Sequence, residues 1–85
     1  MGKVAMIVKV MPDSPEVDLA SVEESIRVAV PETSEIRRDP IGFGLNALKV
    51  AVVVEDEEGA PDRVEEAIAA VDGVASAEIE ELTLT

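Results

Sequence analysis

The side chains with the most evident chemical potential are carboxylates, in two groups: the run Glu55-Asp56-Glu57-Glu58 and the set Glu78, Glu80 and Glu81. The first would make a cation site if oxygen ligands alternated with spacers and a bidentate carboxylate followed at a distance, as in a calcium loop. These four are consecutive instead, which reads as a charged turn left in water. The second group would serve acid–base chemistry if two carboxyls had pKa values pushed apart by their surroundings. No cationic or apolar cluster adjoins them along the chain, so they read as solvent-facing strand positions. Cysteine and histidine are absent, which removes disulfides, thiolate nucleophiles, the common zinc sites and imidazole proton transfer near neutral pH. No catalytic residue, metal ligand or cofactor is expected.

A different kind of signal lies in Pro40-Ile41-Gly42-Phe43-Gly44-Leu45-Asn46-Ala47-Leu48, where the only aromatic residue of the 85 sits between two glycines. This is not a phosphate-binding loop, because such loops open a helix whose amides cradle the anion, and a strand pattern follows here. The glycines permit positive φ and hence a tight turn. Two placements of Phe43 compete. In one the ring tucks back onto the sheet and fills an end of the core. In the other it is an apolar anchor on a loop tip, a position that commonly carries recognition.

Charge narrows the choice of partner. The chain has 7 basic and 19 acidic residues, a net of −12. Residues 1–49 hold six of the basic residues, and Arg63 is the only one in 50–85. Nucleic-acid binding needs a positive field to displace counterions, and RNA-reading sheets need stacking aromatics; neither is present, so no direct nucleic acid contact is expected. A protein surface fits better. Only five apolar residues separate Lys3 from Lys9, too few for a signal-peptide core, and no run approaches the ~20 residues of a membrane span. A cytoplasmic protein without membrane contact is expected, made of one domain over residues 1–85.

The elements that must position these residues follow from periodicity. Val4, Met6, Val8 and Val10 alternate on one face of a strand over 3–11, against Lys3, Ala5, Ile7 and Lys9 on the other. Pro12 and Pro15 break it. Asp18 is a suitable N-cap, and Leu19, Val22, Ile26 and Val30 form the stripe of an amphipathic helix ended by Pro31. A second strand runs from near Ser34 toward Ile41, with Pro40 marking an edge or a bulge. Leu48, Val50, Val52 and Val54 alternate along a third strand. Pro61 opens a second helix with the stripe Val64, Ala67, Ile68 and Val71, and Gly73 reads as its C-cap. A fourth strand starts at Val74; Leu82 and Leu84 fall out of phase with Ala77 and Ile79, which predicts a bulge near Glu80-Glu81.

The order β-α-β-β-α-β predicts an α+β, ferredoxin-like sandwich: a four-stranded antiparallel sheet with both right-handed crossovers placing their helices on one face. The other face then carries Lys3, Lys9 and Lys49 among small apolar groups. The fold alone says nothing of activity.

The segment from Pro40 to Leu48, followed by Val52-Val53-Val54-Glu55-Asp56, resembles the guanine-nucleotide exchange domain family of translation elongation factor 1-beta. Val8-Lys9-Val10-Met11-Pro12 with Ser14-Pro15, and Val71-Asp72-Gly73-Val74, are similar to the compact archaeal members. The resemblance implies the same ferredoxin-like fold. It also implies promotion of GDP-for-GTP exchange on elongation factor 1-alpha, the GTPase that delivers aminoacyl-tRNA, by binding and without covalent chemistry. On that resemblance the partner-binding residues are Ile41, Gly42, Phe43 and Gly44, with Arg37, Arg38 and Lys49 supplying cationic contacts. The eukaryotic domain carries a lysine near its C-terminus that reaches the Mg²⁺ region; here no basic residue follows Arg63, which shifts exchange work onto the Phe43 loop. A monomer is expected. The alternative is a non-catalytic ferredoxin-like regulatory or protein-binding domain.

Overall fold

The computed structural model describes residues 2–42 and 44–84. The elements are β1 (Lys3–Pro12), α1 (Leu19–Ala29), β2 (Thr33–Gly42), β3 (Leu45–Glu55), α2 (Ala60–Ala69) and β4 (Val74–Leu84). The strands form one antiparallel sheet in the order β2-β3-β1-β4. This is the ferredoxin-like arrangement.

The alternation of β-branched residues dictates which face is covered. Val4, Met6, Val8 and Val10 of β1 and Leu48, Val50, Val52 and Val54 of β3 are buried beneath the helices, with Val22, Ile26, Val64 and Ile68 as the helical counterparts. A fully buried Val, Leu or Ile contributes about 1.5–3 kcal/mol, so the inner strands and helix stripes hold the fold without any aromatic among the buried residues described. Among the described residues no charged or polar residue is buried, and no helix is long and apolar enough to cross a membrane.

Local signals account for the boundaries. The Asp18 carboxylate accepts from the Ala20 amide at 3.1 Å, capping α1. In α2 the cap is Gly59 and Pro61 falls in the first turn, one residue further in than the sequence predicts. The C-cap of α2 is Ala70, not Gly73. Gly73, at φ +93°, instead turns the chain into β4, and its carbonyl accepts from the Asp13 amide at 2.9 Å.

The predicted bulge is present. Val8 pairs with Ile79 but Ile7 pairs with Glu81, which leaves Glu80 as the extra residue. It restores the phase of β4: Leu82 and Leu84 pair with Met6 and Val4 and so return to the helix-side face, with Ala77 and Ile79.

Candidate partner-binding site

The end of the β2–β3 hairpin separates from the rest of the sheet. The row Arg38–Leu48–Val10–Ala77 crosses all four strands. Past it, Asp39, Pro40 and Gly42 pair with Ala47, Asn46 and Leu45, whereas β1 pairs with β3 no further than Leu48. The hairpin end is therefore a two-stranded ribbon that parts from β1 beyond Leu48, while β1 and β4 continue as their own pair through Met11 and Pro12. A register shift between Pro40 and Gly42 finishes β2, as a proline on an edge strand foreshadows.

At the tip, Gly42 and Gly44 take φ of +98° and +77°. A Cβ on either would meet no atom within 4 Å, so glycine is required there by backbone conformation and not by crowding. Pro40 and Ile41 are exposed, Ile41 to 38%. Phe43 lies outside the described residues.

The three cationic candidates separate. Strand alternation sends Arg37 and Arg38 to opposite faces. Arg37 is the cross-strand partner of Lys49 on the sheet face away from the helices, where its Nε donates to Glu35 at 3.1 Å. Arg38 pairs with buried Leu48 on the helix side, and its Nε donates to Glu23 of α1 at 2.7 Å. Lys49 lies in the middle of the open face and donates to Glu80. That hydrogen bond, with the charges of Glu80, Asp39 and Glu81, raises the Lys49 pKa above its ordinary 10.5 against a smaller opposing effect of desolvation.

Sequence reasoning placed Lys9 on the open face without giving it a role. The structure sets it directly opposite Lys49 on one side and Glu78 on the other. Arg37, Lys49 and Lys9 thus form a cationic row over three adjacent strands, legible from the shared alternation of β1, β2 and β3. Beside this row a hollow of about 430 Å³ is lined by Ile7, Ala51, Arg37, Lys49, Glu35, Glu80 and Glu81. No cation adjoins Glu80 along the chain; its cationic neighbour is 31 residues away in sequence and is brought to it by the strand order. Ile41, Gly42 and Gly44 therefore share one end of the molecule, Arg37 and Lys49 share one face, and Arg38 belongs to neither group.

The arrangement offers an extended, glycine-flanked tip for insertion and a mixed-charge face for docking. Comparison with known proteins gives the family. The family model described as the EF-1 guanine nucleotide exchange domain matches residues 5–84. A protein of Methanoculleus marisnigri named elongation factor 1-beta is 60% identical over 84 residues, covering 99% of both chains. The protein of the same name in Methanosphaerula palustris is 54% identical over 85 residues and the full length of both. That of Natronomonas pharaonis is 45% identical, covering 96% of this chain and 97% of its own. With nearly every residue inside the match, this chain belongs to the EF-1 guanine nucleotide exchange domain family.

Proposed function

We propose that the protein accelerates the release of GDP from elongation factor 1-alpha, so that GTP replaces it, by docking the β2–β3 ribbon against the GTPase. The observation that carries this reading is the ribbon that parts from β1 and ends in two positive-φ glycines, within a chain matched to an exchange domain over residues 5–84. Exchange of this kind needs no bond to be made or broken by the factor. It needs tighter binding to the nucleotide-free GTPase than to the GDP-bound form, and by linkage the nucleotide's affinity falls by the same factor. An apolar anchor gained at such an interface is suited to this, because a few anchors of that kind carry most of the binding energy. Phe43, Ile41 and the two glycines are assigned to that insertion, with Arg37 and Lys49 on the open face as accessory contacts.

The test is release of labelled GDP from the cognate GTPase at fixed Mg²⁺ and salt, with and without this protein. Acceleration that saturates with factor concentration is expected. Phe43→Ala should slow release by at least tenfold, the order for losing an interface anchor worth about 2 kcal/mol, while the circular dichroism spectrum and urea midpoint stay at wild-type values. No acceleration at saturating wild-type protein would refute the proposal.

A further inference from the structure

Beyond Leu48 the β2–β3 ribbon has no ladder to β1 that would set its direction relative to the body of the sheet. A two-stranded ribbon is marginal on its own, and its twist is larger and more variable than that of a wider sheet. Among the described residues, Ile36 is the last helix-side position of β2 that packs against the core. Two residues on, Arg38 occupies the last row that crosses all four strands. Two further on, Pro40 is exposed. The base of the ribbon therefore falls at Arg38, and there the guanidinium is bonded to Glu23 of α1 at 2.7 Å. Glu23 is the least exposed carboxylate among the ion pairs described, at 24%. The bond is short and charge-assisted, and a guanidinium fixed through Nε constrains direction as well as distance.

We propose that Glu23 and Arg38 are positioning residues for exchange: their ion pair ties the ribbon to α1 and holds the Gly42–Gly44 tip in the direction the GTPase receives. This rests on the exchange reading above and deepens it. Arg38 then acts through the ribbon, not by touching the partner, because its guanidinium is engaged on the helix side while Arg37 faces the opposite way. Loss of the pair leaves the tip intact but spreads the orientations of the ribbon. The partner must then select the competent fraction, which lowers apparent affinity and leaves the bound complex unaltered.

The experiment compares wild type, Glu23→Gln, Arg38→Gln and the charge-swapped double variant Glu23→Arg/Arg38→Glu. GDP release is followed as a function of factor concentration, and amide residual dipolar couplings of Asp39, Ile41 and Asn46 are measured in the free protein. Each single variant should raise the half-saturating concentration by about two- to fivefold, the range for a partly exposed ion pair, at unchanged maximal rate. Each should also shift the ribbon couplings relative to those of β1, and the swap should restore both. Arg38→Gln raising the half-saturating concentration while Glu23→Gln changes neither readout would overturn the proposal in favour of direct contact by Arg38. Wild-type couplings in both single variants would overturn it as well. A wild-type protein that releases no GDP would count against the exchange reading itself, and the couplings would still decide whether the tether exists.

Discussion

Glu80 reaches Lys49 across the intervening strand β1, on the open face that it shares with Glu78. Without the bulge, strict alternation would set Glu81 opposite buried Met6 and turn Leu82 to the open face. Lys49 needs the partner: its direct cross-strand neighbours are Lys9 and Arg37, and like charges set opposite each other destabilise a sheet. Glu35 serves Arg37 in the same way at 3.1 Å. The open face is thus a cationic row held in place by acids from the two edge strands.

Glu80→Gln should therefore lower the urea midpoint with no change in the slope of the transition, because it exposes the Lys9–Lys49–Arg37 repulsion without altering buried area. Raising the salt should shrink the difference between variant and wild type, since at 1 M the screening length falls to about 3 Å. Equal midpoints at low salt would show that Glu80 carries no stabilising role.

The same pair predicts a pH dependence. Lys49 titrates above its ordinary 10.5 in the folded state, chiefly through the Glu80 hydrogen bond. A raised folded-state pKa means that the stabilisation is complete below 10.5 and is lost as pH climbs through the raised value. The advantage of wild type over Glu80→Gln should accordingly be constant from pH 7 to 10 and disappear above 10.5. The chain contains no Cys, Tyr or His, so no thiol, phenol or imidazole overlaps that window. An advantage that persists to pH 12 would contradict the assignment.

Much of this molecule is written in residue alternation. Val4, Met6, Val8 and Val10 and the matching series in β3 dictate the covered face, and the phase slip at Leu82 dictates the bulge, because side-chain direction in a strand has a strict period of two. The same rule separates Arg37 from Arg38, yet both are basic, and charge alone had grouped them. Contacts between distant segments were not legible: Glu80 with Lys49 and Glu23 with Arg38 depend on strand order and on the crossover of α1. Gly73 misled because a glycine after a helix ordinarily signals the cap, whereas here the helix ends three residues earlier at Ala70.

Two glycines should respond differently to alanine. Both Gly42 and Gly73 have positive φ, at +98° and +93°, where an L side chain costs about 1–2 kcal/mol. At Gly42 the added methyl meets nothing within 4 Å, whereas at Gly73 it would lie 3.2 Å from Cγ1 of Val17 and Cγ2 of Val22. Crowding of packed apolar groups adds about 1–3 kcal/mol. Gly73→Ala should then cost about 2–5 kcal/mol and Gly42→Ala no more than about 1–2, read from urea unfolding. Equal losses would mean that Val17 and Val22 yield freely.

The outer edge of β4 carries a side-chain guard. The Ile79 amide, beside the bulge, donates to the Glu65 carboxylate of α2 at 3.3 Å. An edge strand exposes unpaired amides, and covering one of them removes a point of attachment for another strand. Removing the acceptor should free this amide without disturbing the β1–β4 ladder, because among the described residues the Glu65 carboxylate has no other hydrogen bond or ion pair to lose. In Glu65→Ala, hydrogen exchange at Ile79 should accelerate by about tenfold or more, the factor for a hydrogen bond to a charged group. Exchange at Val8 and Val10, inside the ladder, should stay at the wild-type rate. Glu65→Gln, which keeps an oxygen acceptor but not its charge, should fall between the two. If Ile79 exchanges equally slowly in all three proteins, its protection comes from the ladder and the carboxylate is incidental.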